Sequence, residues 1–517
     1  MEDLIERLCK YYGITKEEYK RLSLPPSFSN IPLLDDNPII IQAIERLNEV
    51  KKTNGKILVY GDYDTDGVMS TSILVSCFKK YGLNVEGYLP SRYTDGYGLT
   101  VENVRKIKAK GYTMIFTCDN GVTAHEALQE ARNLGIEVII LDHHEFDSIK
   151  PECDIVIHPN TVNYGKIEIS AGYLSFIFSH ALLCKIDNYL LCLGAVSTIS
   201  DMMPMLGYNR EIVRLMLEIL EKERYQEFLM LTTNKKYLDE AVFQMEIIPK
   251  INSIGRIEKD GTINRLIKYF CSHDQGLNEK IATWINQENE KRKDLTKNAS
   301  ESLSINPNDA AIIVQTDLPE GLNGLLASKL LNMYQKPIAV FSSKEKEPSL
   351  LVGSLRSLEG VNILDVYSEI KTPLLSKGGH PFAGGCSIKK EDFENFKKDF
   401  IFFTLKHKIM SKKKESIDIL LSECNMKTYR IIKNLSPFGM SWEPPKFLLK
   451  DLNPATFTYI KNGQYLSTKL SEDTKIFSFS LNENSFEADE KVNLFISFKI
   501  NEYKGQLSLN LMAERAI

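Results

Sequence analysis

Short apolar runs alternate with helix-like segments between residues 56 and 142. The runs are KILVY, VEGYL, TMIFT and EVIIL, and each has the length of one buried β-strand. Strands that alternate with helices in this way are typical of a parallel α/β sheet. Ligands of such sheets bind beyond the carboxyl ends of the strands, so the residues that follow each run are the first candidates for chemistry.

Three further patterns follow this sheet. Residues from about 171 to 304 read as mostly helical, and the polar stretch INQENEKRKDLTKNASES suits an exposed connecting helix. A second α/β pattern begins at AAIIVQ, and short alternating strands near the C-terminus indicate a small β-barrel or sandwich. We therefore predict an α/β protein with these segments: an N-terminal helical segment (1–50), a parallel-sheet domain (51–275), a connecting helix (276–305), a second α/β domain (306–410) and a β-rich domain (411–517).

Composition narrows the class of protein. The chain has 64 Lys and Arg against 68 Asp and Glu, a formal net charge of −4, so any nucleic-acid site must be a local groove. Nine cysteines without a C-x-x-C pair fit reduced thiols rather than a disulfide framework or a zinc ribbon. With no signal-peptide pattern and no apolar run long enough to span a membrane, we expect a cytoplasmic protein without membrane association.

Acidic residues follow the first apolar run. In VYGDYDTDGVMS, Asp62, Asp64 and Asp66 occupy alternate positions, and an extended backbone would point them the same way. Three crowded carboxylates repel one another unless a cation neutralises them, which favours a divalent metal. The alternative is an acidic turn in which one Asp caps the following helix.

Further aspartate and histidine residues follow two later strands and lie in one helix-like stretch. Asp119 follows TMIFT, the triplet Asp142, His143 and His144 follows EVIIL, and Asp201 lies in the apolar stretch LGAVSTISDMMPM. A charge in such a stretch is costly without a partner. Mixed carboxylate and imidazole ligands suit Mn²⁺ or Mg²⁺, and the lack of cysteine among them argues against structural zinc.

The order DYDTDG, CDNG, LDHHE and ISDMMP resembles the four motifs of the DHH phosphoesterase superfamily. Further stretches resemble the RecJ-like single-stranded-DNA-specific exonucleases of that superfamily, namely YLPSRYTDGYGL, INSIGRI, GLNGLLASKL, GSLRSLEG, GGHPFAGG and NLSPFGMSWEPP. The resemblance implies that the first domain is a DHH domain, that the second is a DHH-associated domain, and that the β-rich domain is an OB-fold.

The resemblance also implies a metal site. Two Mn²⁺ or Mg²⁺ ions would be held by Asp64, Asp66, Asp119, His143 and Asp201. Asp119 would bridge the two ions and His144 would lie beside the scissile phosphate, while Asp62 and Asp142 would support the ligands from outside. Tyr60 stands where some members of the superfamily have a histidine ligand.

A nucleic-acid site is implied in the same way. Its residues would be Arg92, Arg256, Ser354, Arg356, Gly378, Gly379 and His380. Taken singly, each arginine has the alternative of a surface ion pair and the glycine pair that of a plain turn. In the OB-fold, Phe457, Tyr459 and Tyr465 are candidates for base stacking, with core packing as the alternative.

The function that the resemblance implies is a metal-dependent exodeoxyribonuclease, a phosphodiester hydrolase. It would degrade single-stranded DNA from the 5′ end to mononucleotides by two-metal catalysis, in DNA recombination and repair. The expected partner is single-stranded DNA, with a single-strand-binding protein and a helicase as candidates, and the expected state is a monomer. The alternatives are a phosphodiesterase of short oligoribonucleotides or other RNA and a non-catalytic replication scaffold.

Overall fold

The computed structural model describes residues 2–96, 98–233, 235, 237–259, 261–272, 274–407, 415–487, 490–503 and 506–515. These form two compact units. The larger unit comprises Phe28–Met203 and Gly207–Lys412, and the smaller one comprises Met1–Ser27, Pro204–Leu206 and Lys413–Ile517. The predicted segment 1–50 therefore contributes to both units, and the predicted boundary between residues 410 and 411 lies outside the described residues.

The helices and strands are numbered in chain order. The helices are α1 (Glu2–Tyr12), α2 (Lys16–Leu22), α3 (Pro38–Lys52), α4 (Thr65–Tyr81), α5 (Val101–Ala109), α6 (His125–Asn133), α7 (Ala171–Leu183), α8 (Asn188–Ser200), α9 (Gly207–Lys222), α10 (Gln226–Leu229), α11 (Glu240–Val242), α12 (Ile248–Ile257), α13 (Arg265–Cys271), α14 (Gln275–Ser302), α15 (Asn323–Tyr334), α16 (Ile363–Glu369), α17 (Phe393–Lys406) and α18 (Met426–Lys433). The strands are β1 (Lys56–Tyr60), β2 (Asn84–Tyr88), β3 (Met114–Cys118), β4 (Glu137–Leu141), β5 (Ile155–Ile157), β6 (Ile312–Thr316), β7 (Ile338–Lys344), β8 (Glu347–Arg356), β9 (Ser376–His380), β10 (Ala383–Lys389), β11 (Ile417–Ile419), β12 (Phe447–Leu452), β13 (Tyr459–Ile460), β14 (Tyr465–Lys469), β15 (Thr474–Ser478), β16 (Val492–Tyr503) and β17 (Gln506–Arg515).

The first sheet has the order β2-β1-β3-β4-β5, with every pair parallel. Its two faces are covered by different helices. Helices α5 and α6 pack on the face that carries Leu58 and Ile115, while Phe78 of α4 and Phe178 of α7 pack on Phe116 at the opposite face. Burial on both faces explains why the strands read as continuous apolar runs.

The second sheet has the order β6-β7-β8-β10-β9. Strands β6 and β7 are parallel and the other pairs are antiparallel. One face packs on α15 through the core around Leu326, and the other packs on α16 and α17 through the core around Phe396. The long helix α14 connects the two sheets along the chain.

The smaller unit contains a mixed sheet of order β11-β12-β16-β17-β15-β14-β13. Helix α1 packs on β11, and Trp442 stacks on Tyr12 with ring centroids 4.3 Å apart. The architecture agrees with the predicted fold class: a parallel-sheet domain, a second α/β domain and a C-terminal β-rich domain. No helix among the described residues combines the length and apolar character that a membrane span needs.

Candidate metal centre and phosphate site

The ends of adjacent parallel strands bring the candidate ligands together. Three sets of ligand atoms each lie within 4.8 Å of one another; the sets are Asp62, Asp64 and Asp119; Asp119, His143 and His144; and Asp66, His143 and Asp201. Asp119 and His143 each belong to two of these sets. The carboxylates and imidazoles thus form one continuous cluster beyond β1, β3 and β4.

Asp66 is fixed by the start of α7. The backbone N–H groups of Ala171 and Gly172 donate to its two carboxylate oxygens at 2.9 and 2.8 Å, and Ser197 Oγ donates at 2.5 Å. A helix N-terminus favours a carboxylate in this position. A Cβ on Gly172 would lie 2.5 Å from Ser197 Oγ and 3.2 Å from Asp66 Oδ1, so the glycine makes room for the carboxylate.

Asp64 and Asp119 are held by local backbone geometry. Asp64 caps α4 by accepting a hydrogen bond from the Gly67 N–H at 3.1 Å. The helix-capping alternative therefore does not exclude the metal site, because Asp64 also belongs to a set of candidate ligands. Asp119 has a φ of 62°, a left-handed conformation that is uncommon outside glycine and often marks functional positions. Next to it, Asn120 Nδ2 donates to the carbonyls of Gly61 and Cys118 at 3.0 and 2.9 Å and joins the two strand ends.

His143 presents an unpartnered nitrogen to the carboxylates. Its Nε2 lies 3.2 Å from Asp119 Oδ1, 3.5 Å from Asp201 Oδ2 and 3.6 Å from Asp66 Oδ2, yet it forms no hydrogen bond with any described residue. Asp62 Oδ1 is likewise buried without a partner in the described part of the chain. Buried polar atoms of this kind are rare unless a ligand or water satisfies them. The donor set therefore fits a divalent cation, and it includes Asp62.

The carboxylates raise one another's pKa values. Burial, followed by the charge of a neighbouring aspartate, raises the pKa of Asp62 to about 7 and that of Asp201 to about 8. The pKa values of Asp64 and Asp119 are raised by the same two causes. A bound cation would remove this repulsion, because it favours the charged form of every ligand.

His144 is oriented by Asp142 rather than by the cluster. Its Nδ1 lies 2.8 Å from Asp142 Oδ1, and that oxygen also accepts the backbone N–H groups of His143 and His144. Burial would lower the pKa of His144, but the hydrogen bond and the carboxylates around it raise it to about 9. For Asp142, burial opposes the effect of the histidines, which prevail and lower its pKa.

One supporting residue, His158, escaped the sequence analysis. His158 follows β5 and its Nε2 lies 3.0 Å from the His144 carbonyl, while its Nδ1 accepts the Asn160 N–H at 3.1 Å. The position of His158 at a strand end is the signal that could have indicated it. Tyr60 is fully buried and its hydroxyl bonds Gly98 and Asn103, so it is not directed at the cluster.

Two of the predicted phosphate-binding arginines, Arg92 and Arg256, lie near aspartates of the cluster, and Arg356 lies near Arg256. The guanidinium of Arg92 stacks on Tyr63 at 4.5 Å. Its positive charge partly opposes the rise in the pKa of Asp62 that burial and Asp64 cause. Arg256, in the last turn of α12, donates to the Gly321 carbonyl at 3.3 Å. Arg356 lies at the end of β8, where Nη1 donates to Ser354 Oγ at 3.2 Å. A cavity of about 830 Å³ borders Arg92.

Main-chain contact joins α12 to the second sheet domain. A Cβ on Gly321 would lie 2.5 Å from the Arg256 carbonyl oxygen and 3.0 Å from its Cα. Tyr93 Oη donates to the same carbonyl oxygen at 2.5 Å. Only glycine allows the two backbones to approach this closely.

Gly378, Gly379 and His380 lie on the edge strand β9, and every residue of that strand is exposed. Gly379 has a φ of 134° and lies against Ala383 of β10, so the hairpin itself requires this glycine. A Cβ on Gly378 would meet nothing within 4 Å. The fold does not need a glycine at position 378, in contrast to position 379.

The candidate stacking residues of the OB domain are only partly buried. Phe457 packs edge-on against Phe486, and Tyr465 packs edge-on against Phe479, whose side chain is 70% exposed. Tyr459 is also partly buried. These rings are accessible at one edge of the sheet, where β13, β14 and β15 lie.

Comparison with known proteins places the domains in families. The N-terminal domain of the DHH family matches residues 56–191, the DHHA1 domain matches residues 306–403, and the RecJ OB domain matches residues 398–515. The single-stranded-DNA-specific exonuclease RecJ of Bacillus subtilis is 29% identical over 504 residues, which cover 92% of this chain and 63% of that protein. RecJ of Haemophilus influenzae is 24% identical, with coverage of 92% and 90%.

The solved structures include a likeness in fold. The crystal structure of RecJ in complex with Mn²⁺ from Thermus thermophilus matches with a TM-score of 0.83 at 22% identity. The match covers 99% of this chain and 75% of that one. The chain thus spans 63% of the length of the Bacillus subtilis relative, 75% of the Thermus thermophilus chain and 90% of the Haemophilus influenzae relative.

Proposed function

Because this chain is a RecJ-like member of the DHH family, we propose that it is a metal-dependent exonuclease of single-stranded DNA. One observation carries the proposal: the carboxylates and imidazoles of three strand ends and one helix end converge, with Asp119 and His143 shared between overlapping sets of ligand atoms. The set predicted from the motifs is intact, which argues against a scaffold that has lost its ligands. The arginines beside it supply what a phosphodiester substrate needs.

Two divalent ions, Mn²⁺ or Mg²⁺, would be held by Asp64, Asp66, Asp119, His143 and Asp201. Asp119 would be the shared ligand, and the unpartnered Oδ1 makes Asp62 an additional candidate. Bound ions of this kind activate a water molecule and stabilise charge on the phosphate oxygens.

His144 would hold a proton for the leaving group. Its Nδ1 is engaged by Asp142 Oδ1, which leaves Nε2 to face the substrate, and its side chain is 43% exposed. In the metal-free protein the hydrogen bond to Asp142 and the surrounding carboxylates raise the pKa of His144 to about 9, which favours the protonated ring. In 5′-to-3′ hydrolysis the leaving group is the 3′ oxygen of the released nucleotide, and Nε2–H would donate to that oxygen.

Arg92, Arg256, Ser354 and Arg356 would bind the substrate backbone or its terminal 5′ phosphate, and the second of these assignments is the one that the 5′-to-3′ direction requires. A guanidinium matches two phosphate oxygens at once. The backbone of Gly378 and Gly379 and the ring of His380 would approach the strand from β9. The exposed edge at Gly378 leaves room for that approach.

We place the activity in DNA recombination and repair, with products that are mononucleotides. A helicase or a single-strand-binding protein would supply the single strand, and the protein would act as a monomer. These expectations derive from the relatives rather than from contacts within this chain.

Digestion of end-labelled DNA tests the proposal. Single-stranded DNA labelled at the 5′ or the 3′ end is incubated with Mn²⁺ and either the wild type or Asp119→Ala, beside RNA of the same sequence. We expect immediate release of a labelled mononucleotide from the 5′ end, abolished in the variant. Release from the 3′ end would overturn the direction, cleavage of RNA alone would overturn the substrate, and inactivity of the wild type would favour a scaffold.

A further inference from the structure

A fourth arginine lies beside the three that the motifs indicated. Arg292 is on α14, in the polar stretch that the sequence analysis assigned to an exposed connecting helix. Its Nε is buried and has no hydrogen-bond partner in the described part of the chain, a property that it shares with Nε of Arg92. Among the described residues, Arg92, Arg256, Arg292 and Arg356 form no ion pair with a carboxylate.

The packing of α14 directs Arg292 towards Arg256. Helix α14 packs along α12, and Leu295, one turn after Arg292, packs against the core that contains Ile257 and Leu322. Ile257 and Leu322 directly follow Arg256 and Gly321, the two residues in main-chain contact. Arg292 precedes Leu295 by one turn and is partly buried, whereas Lys291 in the same turn is exposed, so Arg292 lies on the side of α14 that meets this contact.

Electrostatics agrees with this placement. Burial, together with the charges of Arg92, Arg292 and Arg356, lowers the pKa of Arg256 to about 10. Asp64 acts in the opposite direction. Glu290 and Asp294 are each two residues from Arg292; Glu290 pairs with Lys293 at 2.7 Å, and its charge partly opposes the lowering of the pKa of Arg292 by burial.

Helix α15 begins at the same place. The helix continues directly from a 3₁₀ turn at Glu320–Leu322, and the Asn323 N–H donates to the Glu320 carbonyl. Gly324, in the first turn of α15, lies so close to Arg356 that a Cβ would be 3.0 Å from Nη2 and 3.2 Å from Ser354 Oγ. Guanidinium groups that form no ion pair among the described residues are suited to binding an anion.

We propose that Arg292 is a further binding residue of the terminal 5′ phosphate site, and that it contributes to selection of a phosphate monoester over a 5′ hydroxyl. The proposal deepens the proposed function and rests on it. A terminal phosphate carries a charge of about −1.5 to −2 at neutral pH. That charge offsets the mutual repulsion of arginines that form no ion pair among the described residues, whereas a hydroxyl does not.

The test compares Arg292→Gln with a matched control, Lys291→Gln. Lys291 neighbours Arg292 on α14, but it is exposed and pairs with Glu288 at 3.2 Å, so both variants lose one positive charge from the same turn. The measurements are the Kd values of 5′-phosphorylated and 5′-hydroxyl single-stranded oligonucleotides with EDTA at fixed ionic strength, and the Tm of the free protein.

We expect Arg292→Gln to weaken binding of the phosphorylated oligonucleotide about 10- to 100-fold, the usual cost of losing a charge-assisted hydrogen bond. Binding of the 5′-hydroxyl oligonucleotide should change about as little as it does in the control. The Tm of Arg292→Gln should equal or exceed that of the wild type, because one repelling charge has been removed.

Three results would overturn the proposal. If Arg292→Gln weakens binding of both oligonucleotides equally, Arg292 has only a general electrostatic role. If the variant has a lowered Tm and binds neither oligonucleotide, Arg292 is a structural residue. A wild type that does not distinguish the two oligonucleotides would also reject it. Failure of the proposed function would give a different result: the wild type would bind the 5′-phosphorylated oligonucleotide more tightly but would digest no DNA with Mn²⁺.

Discussion

His144 Nδ1 lies 2.8 Å from Asp142 Oδ1, and the same oxygen accepts the N–H of His144 at 3.2 Å. One carboxylate therefore fixes both the ring and the backbone of the histidine that would face the scissile phosphate. His158 holds the His144 carbonyl from the other side. The orientation of the ring is set before any substrate binds.

Asp142→Asn should lower exonuclease activity about 10- to 100-fold, the usual cost of losing such a supporting carboxylate. The pKa of His144 should fall from about 9 because the amide carries no charge, so the alkaline limb of the pH–rate profile should move to lower pH. Asp147→Asn is the matched control, because Asp147 forms the same kind of pair with His125 at the surface. A profile that moves equally in both variants would contradict this role.

The metal-free protein should lose stability as the pH rises from about 4 to 8. Asp62 and Asp201 have pKa values of about 7 and 8 in the fold against an ordinary 3.8, so the folded state retains protons that the unfolded state releases. Urea denaturation in EDTA at pH 5, 6.5 and 8 measures the effect. In Asp201→Asn the decline should be shallower, and an unchanged slope would contradict the assignment.

Asp119→Asn should raise the Tm of the metal-free protein and abolish the stabilisation by Mn²⁺. The substitution removes one of several buried like charges, but it also removes the ligand shared between two sets of atoms. Thermal denaturation with and without Mn²⁺ gives both quantities for wild type and variant. A variant that Mn²⁺ still stabilises as much as the wild type would exclude Asp119 from the metal site.

Gly378→Ala should leave the Tm unchanged and reduce the rate of digestion. A Cβ at this position meets nothing within the protein, so any loss must come from the substrate, whose phosphates would approach this backbone. Gly276→Ala, at an exposed position in α14, is the control for a neutral glycine substitution. Full activity of Gly378→Ala would show that the substrate does not approach β9 at this position.

The sequence predicted those parts of the site that depend on strand ends. Alternation in DYDTD and the residues after β3 and β4 were sufficient to indicate Asp64, Asp119 and His143, because adjacent parallel strands end at one edge of a sheet. The fold class followed from the same alternation of strands and helices.

Long-range support was beyond the sequence analysis. The amides of Ala171 and Gly172 that hold Asp66 are 105 and 106 residues away from it, and Ser197 is 131 residues away. Contacts between residues so far apart in the chain leave no periodic pattern in the sequence. Arg292 was missed for a related reason, since a charged helix reads as solvated whichever of its faces packs against the protein.

The main-chain contact between Gly321 and Arg256 has a consequence for sequence divergence. Main-chain atoms alone set the distance between Arg256 and the start of α15. Substitutions that change the size of side chains in the surrounding core can therefore alter the packing without changing this distance. Many residues of the surrounding core can thus change without moving Arg256 relative to α15. Replacement of Gly321 itself is the exception, because any larger residue must separate the two domains at that point.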